Sequence, residues 1–168
     1  MKLLTHEYLI DNLYYNKETG LFTWVKPRKR ITVGSYAGCQ NLAGYITICL
    51  DKKIYRAHRL AWFFINGSWP DGEIDHINGI KTDNRISNLR QATRSENQRN
   101  QNAPKTNTSG IKGVSWDKKH KRWHAQCMVD KKLYNIGRYK DKADAEIAVR
   151  LFRTRHHRDF ANHGMNGS

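Results

Sequence analysis

The sequence has no apolar run approaching the roughly 20 residues of a membrane-spanning helix, and nothing of signal-peptide character precedes Leu3. Membrane insertion and secretion are therefore not expected. Cysteine is scarce: Cys39, Cys49 and Cys127 are an odd number with no C-x-x-C pair, which excludes a disulfide framework and indicates no structural zinc site. The three are expected to be buried thiols in a reducing cytoplasm, where the Asn107-Thr108-Ser109 sequon has no role. Acidic residues are few, 15 against 30 Lys and Arg. Hydrophobic residues make up only 38% of the 168, so the core is small or divided between two small domains.

What the chain does have is positive charge, +15 in all and spread along its length. Such a surface favours a polyanion as partner. Residues 1–100 carry 15 basic and 9 acidic side chains, and residues 101–168 carry 15 and 6, so the shorter part is the more basic. From Asn100 to Gly110 the only apolar residues are Ala103 and Pro104, a composition that reads as a linker. The expected division is a first domain at 1–102, a linker at 103–108, a second domain at 109–162 and a tail at 163–168.

The stretch from Glu73 to Asn100, EIDHINGIKTDNRISNLRQATRSENQRN, gathers side chains suited to chemistry. Trp69-Pro70-Asp71-Gly72 reads as a turn, so Glu73-Ile74-Asp75-His76 leaves it extended. Asn78 to Asn88 reads as a loop and Leu89 to Thr93 as a second short strand. Thr93 with Glu96, or Ser95 with Gln98, fits a capping box and puts Asn97 in the first turn of a helix. Metal-assisted phosphodiester cleavage needs a base, oxygen ligands for a hard cation, and a group that holds the base in one tautomer. His76 suits the base, since imidazole accepts a proton near neutral pH. Asp75 and Asn97 offer oxygen ligands of the kind Mg²⁺ accepts, and the Asn88 side-chain carbonyl is placed to orient the ring.

Asn88 follows His76 by 12 positions and Asn97 by 21. This spacing resembles the HNH nuclease family, in the form whose last histidine is replaced by asparagine. The order of strands, His58-Arg59-Leu60 helix, Trp69-Pro70 turn and Asp75-His76 resembles phage-encoded members over roughly residues 5–102. The resemblance implies a ββα-metal fold with His76 as base, Asp75 and Asn97 as metal ligands and Asn88 as the middle Asn. An amide at the last position implies exchangeable Mg²⁺ or Mn²⁺ instead of tight zinc. Duplex DNA is the implied partner, and the cytoplasm of a bacterial or phage-infected cell the implied location.

Before this stretch, residues 5 to 15 place Leu9, Ile10, Leu13 and Tyr14 at helical spacing. Leu21 to Val25 reads as a strand, Lys26-Pro27-Arg28-Lys29-Arg30 as a basic loop, and Gly44 to Leu50 and Lys53 to Arg56 as a hairpin. Ala57 to Ile65 reads as a core helix, with His58 and Arg59 contacting the loop that follows. After the linker, Lys112 to Trp116, Lys121 to Val129 and Lys132 to Tyr139 read as strands. In the second, Trp123, Ala125, Cys127 and Val129 alternate with Arg122, His124, Gln126 and Met128. A helix from about Asp141 is expected to cover the sheet with Ala143, Ile147, Ala148, Leu151 and Phe152.

This second part resembles the AP2 DNA-binding domain through Gly113-Val114-Ser115-Trp116, Lys121-Arg122-Trp123-His124-Ala125 and Asn135-Ile136-Gly137-Arg138-Tyr139. Ser115 stands where plant members usually carry a base-contacting arginine, so their sequence preference does not transfer. Trp116, Arg122, His124 and Gln126 are expected at the DNA groove and Lys118, Lys119 and Lys121 at phosphates. The expected class is α+β: a β-rich N-terminal subdomain, a ββα-metal motif at about 73–102, then a three-stranded antiparallel sheet with one helix. The expected function is a homing-type, metal-dependent DNA endonuclease, a monomer on DNA. A DNA-binding regulator with a degenerate nuclease fold is the alternative, and an RNA-binding basic protein is a third class.

Overall fold

The computed structural model describes residues 4–100 and 107–164. The chain divides into two compact units, Met1–Ala92 and Thr93–Ser168. Most of the linker expected at 103–108, and the end of the tail, lie outside the described residues. No helix among the described residues is long and apolar enough to cross a membrane.

In the first unit, the Thr5 side chain accepts from the Tyr8 N–H and starts α1 (His6–Asn12). This helix is shorter than its sequence periodicity suggested. Leu13 and Tyr14 are extended instead, because β1 (Leu13–Asn16) pairs antiparallel with β2 (Leu21–Trp24), from Leu13↔Trp24 to Asn16↔Leu21. Period-two burial of Leu13 and Tyr15 outweighs the helical pattern. A second antiparallel sheet orders β3 (Cys39–Gln40), β4 (Ile46–Leu50) and β5 (Lys53–Arg56). Asp51 and Lys52, with φ of 48° and 63°, make the two-residue turn between the last two. Helix α2 (Ala57–Asn66) follows directly and ends at Gly67, whose φ of 69° provides the left-handed cap.

Leu60, Ala61 and Phe63 of α2 pack with Leu9, Leu13, Phe22, Ile48 and Leu50 in a core that extends to Ile74 and Leu89. Ile74 belongs to β6 (Glu73–His76) and Leu89 to β7 (Leu89–Ala92), an antiparallel pair in the register Asp75↔Arg90 and His76↔Leu89. Asp75 and His76 therefore sit on a hairpin anchored in the core of the first unit.

In the second unit, Thr93 and Glu96 form the expected capping box at the start of α3 (Arg94–Arg99). The sheet orders β8 (Val114–Asp117), β9 (Arg122–Val129) and β10 (Lys132–Tyr139) with β9 central, all antiparallel. Helix α4 (Lys142–His157) covers one face, where Val114, Ala125, Ala145 and Val149 form a small core. The expected helix stripe is corrected. Ala145, Val149, Arg153 and His157 are the buried residues, while Ala143, Ile147 and Leu151 face solvent. Arg153 is tolerated at 1% exposure because its Nη2 donates to the Lys112 carbonyl at 2.7 Å, and His157 Nε2 donates to the Met128 carbonyl at 3.0 Å. The cysteine expectation also changes: Cys127 is buried, but Cys39 and Cys49 are exposed.

Candidate nuclease site and nucleic-acid surface

His76 ends β6 and is buried, with 5% exposure. Its Nε2 lies 3.2 Å from Asn84 Oδ1. The Asn84 Nδ2 donates to the Thr82 carbonyl at 3.3 Å, which turns the amide oxygen toward the ring to accept from Nε2–H. Asn84 is itself held from a distance. Tyr15 donates to its backbone carbonyl at 2.7 Å, and Gly20 (φ 74°) packs so closely that a Cβ there would lie 2.5 Å from Arg85 N. Burial pushes the His76 pKa below its ordinary value, opposed by the Asn84 hydrogen bond and the nearby carboxylates of Asp75 and Asp83. The ring is therefore neutral at physiological pH.

Sequence reading gave the orienting role to Asn88, and the geometry differs. Asn88 Oδ1 accepts from Asn78 N at 3.0 Å, while its Nδ2 donates to Asn78 Oδ1 at 3.0 Å and to the Asp83 carbonyl at 2.8 Å. It ties the ends of the 78–88 loop together, and Asn84 contacts the imidazole. Within that loop Arg85 grips Asp83, with Nε to Oδ1 at 2.8 Å and Nη2 to Oδ2 at 2.6 Å, holding the carboxyl down to about 2.

His58, on the first turn of α2, stands edge-on to His76 with ring centroids 4.9 Å apart and planes at 87°. Burial holds its pKa at about 3, with His76 and Arg56 contributing, so it too is neutral, and its Nδ1 is buried without a hydrogen-bond partner. Tyr45 closes the group, 5.3 Å from His58 and 6.1 Å from His76. Two cations lie over the Tyr45 ring, Lys81 Nζ and the Arg56 guanidinium, each at 4.9 Å. Arg59 holds the turn before β6 through the Gly72 and Pro70 carbonyls. His58 and Arg59 thus make the structural contacts expected of them.

Asp75 is 3% exposed, and Arg90 Nε and Nη2 both reach its Oδ2, at 2.9 and 2.8 Å. The Asp75↔Arg90 register makes this pair unavoidable, and a guanidinium is the partner that compensates the burial of a carboxylate. Asn97 lies on α3, in the second unit, where its N–H donates to the Thr93 carbonyl at 3.0 Å. No group of three or more His, Cys, Asp or Glu among the described residues is placed to hold a metal. Asp75 offers a carboxylate oxygen and Asn97 an amide oxygen, donor types that a largely water-coordinated hard cation takes from a protein.

On the second unit, cross-strand pairing puts Ser115 opposite His124, Asn135 opposite Gln126 and Arg138 opposite His124. The face away from α4 therefore carries Arg122, His124 and Gln126 as expected, joined by Asn135 and Arg138, which sequence reading missed. His124 Nε2 lies 3.0 Å from Asn135 Oδ1. Lys118, Lys119 and Lys121 are exposed in and beside the β8–β9 turn. Trp116, expected among the DNA-binding residues, is 45% exposed. It pairs with Trp123 at 5.1 Å, edge to face, and so shares the α4 side of the sheet.

Residues 55–99 match the family model for HNH endonucleases. Protein 3.8 of Escherichia phage T7 is 36% identical over 108 residues, covering 62% of this chain and 87% of that protein. The chain belongs to the family of that phage protein and carries an HNH endonuclease domain. No solved structure matches it. The matched HNH segment begins at Tyr55 and so takes in α2, the Arg59-held turn, β6, the asparagine loop, β7 and α3. HNH domains are nuclease domains that act on DNA and generally use divalent metal ions, which gives the buried His76 and its cationic surroundings a chemical context.

Proposed function

We propose that this chain is a metal-dependent, homing-type DNA endonuclease in which His76 is the general base. The observation that carries the reading is the buried His76 ring, held by Asn84 and pushed toward its neutral form by burial. In that state the imidazole accepts the proton of an attacking water. His58 adds a second ring wall without adding charge, which protects the basicity of His76. Lys81 and Arg56 put positive charge beside the site, where a scissile phosphate would be held.

The metal ligands are proposed to be Asp75 and Asn97, and the ion to be Mg²⁺ or Mn²⁺. When bound, the cation supplies Lewis-acid stabilisation of charge on the phosphate and the departing oxygen. The Arg90 guanidinium holds the Asp75 carboxylate in place. Taken together, β6, β7 and α3 supply, in chain order, the elements of a ββα-metal motif, and Asn88 braces its loop. The second unit is proposed to be an AP2-like DNA-binding domain that presents Arg122, His124, Gln126, Asn135 and Arg138 to a groove and Lys118, Lys119 and Lys121 to phosphates. The enzyme works as a monomer on duplex DNA in the cytoplasm of a bacterial or phage-infected cell.

The test is cleavage of supercoiled plasmid and of DNA from the native locus, with Mg²⁺ and with chelator, by wild type and His76→Ala. Metal-dependent cuts that vanish in the variant support the reading. A wild-type protein that shifts DNA in a gel yet never cuts it would make the chain a DNA-binding regulator.

A further inference from the structure

Strand β8 pairs with β9 only as far as Val114↔Ala125, so residues 126–129 of β9 pair with β10 alone, apart from one bond from Gln126 N to the Gly113 carbonyl at 2.9 Å. Beside this open edge lies a cavity of about 860 Å³ within the second unit. Five cationic side chains line it, Arg94, Arg99, Lys112, Lys131 and Arg153, and Asp130 is the one carboxylate among the lining residues. Asp130 is paired with Arg99, which leaves the wall strongly positive.

The cations are crowded. Lys112 donates from Nζ to the Arg99 carbonyl at 2.8 Å, and its own carbonyl accepts from Arg153. Burial, with the Arg153 charge adding to it, pushes Lys112 down to about 8. Arg153 is 1% exposed, and the Nε–H groups of both Arg153 and Arg99 are buried without a hydrogen-bond partner. Gly113 (φ 79°) permits this packing, since a Cβ there would come within 3.2 Å of Arg153 Nη2 and 2.5 Å of the Gln126 carbonyl. Neighbouring cations held partly out of water, with guanidinium donors unspent, are an arrangement completed by a polyvalent anion.

We propose that this cavity binds a phosphate group. Guanidinium forks match the oxygen geometry of phosphate, and five cations suit its charge better than that of a single carboxylate. The phosphate comes either from a nucleic-acid backbone or from a free nucleotide, two sources of one chemistry. The lining residues all belong to the second unit, and Gln126 is the one shared with the groove-facing set, so the proposal does not depend on the nuclease reading.

Full-length protein without metal is titrated by calorimetry with inorganic phosphate, with dAMP and with a 20-base-pair duplex at several salt concentrations. Lys112→Gln, Arg94→Gln and, as a control outside the cavity, Lys140→Gln are run beside wild type. Arg94 is exposed, so its substitution leaves folding intact if Lys112→Gln does not. With a free-nucleotide source, phosphate and dAMP bind wild type, both cavity variants weaken them about tenfold, and Lys140→Gln leaves them unchanged. With a backbone source, only the duplex responds, and each cavity substitution lowers its log–log salt slope by about 0.9. Cavity variants that match wild type for every ligand overturn the proposal. Cleavage assays on the same preparations after addition of Mg²⁺ keep the two readings apart, because loss of cutting with phosphate binding intact bears only on the nuclease.

Discussion

Replacing Asn84 separates a base that is oriented from one that is merely present. In wild type the His76 Nε2–H donates to a neutral amide oxygen at 3.2 Å. Asn84→Asp keeps the acceptor in place and makes it an anion. Hydrogen bonds to charged groups contribute about 1.5–3 kcal/mol against about 0.5–1.5 for neutral ones, so the imidazolium gains roughly 1.4 kcal/mol, or about one pH unit. The sign follows directly: the His76 pKa rises and the base is protonated over a wider range. Single-turnover cleavage against pH should show its acid limb moved up by about one unit, with the rate recovering at higher pH. Asn84→Leu removes the acceptor and frees the tautomer. Its rate should fall roughly tenfold or more at every pH, in keeping with the size of a general-base contribution, while DNA affinity changes little. Profiles whose acid limb coincides with wild type in Asn84→Asp would remove Asn84 from the positioning of His76.

Four further outcomes are expected. His76→Ala should abolish cleavage and leave duplex binding within a few-fold, checked by gel shift beside the nuclease assay; retained turnover would exclude His76 as base. Products should carry 5′-phosphate and 3′-hydroxyl ends, so that ligase seals nicks directly, and a need for end repair would indicate different chemistry. His58, at about 3 when folded, refuses a proton that the unfolded chain takes up below about pH 6.5. Its contribution to stability is therefore lost as pH falls, by about 2 kcal/mol between pH 7 and 5, and urea melts of wild type and His58→Leu at both values should show a flatter pH dependence in the variant. On the sheet, Arg122→Ala should relax the choice of sequence whereas Lys119→Ala should weaken all duplexes about equally; identical behaviour of the two would mean that the sheet face does not read bases.

Most of the strands and helices were legible because their signals are local. The Thr93 to Glu96 capping box, the Glu73 to His76 strand and the alternation along β9 each need only a few neighbouring residues to be read, and each stands where it was expected. The α4 face was misread for an equally local reason. Apolarity picks out Ile147 and Leu151, but two polar residues, Arg153 and His157, are buried because they meet carbonyls of Lys112 and Met128, 41 and 29 positions away in sequence. The face on which Trp116 lies was not legible, because it is fixed by pairing with Trp123, a partner that strand propensity does not reveal.

The site itself shows the same division. Asp75 and His76 are adjacent in one strand, and their chemistry is evident from residue type alone. The choice among Asn78, Asn84 and Asn88 is not, since all three amides lie in one loop and offer the same oxygen. It is made by Tyr15, 69 positions before Asn84, and by Gly20, whose lack of a side chain lets the β1–β2 turn press against the Asn84–Arg85 backbone. The N-terminal hairpin thereby fixes Asn84, and Asn84 in turn contacts the His76 ring. A substitution at Gly20 should accordingly disturb cleavage through the His76 tautomer, with a pH profile resembling that of Asn84→Leu. The change lies outside the matched HNH segment, where neither family nor residue type would have predicted it.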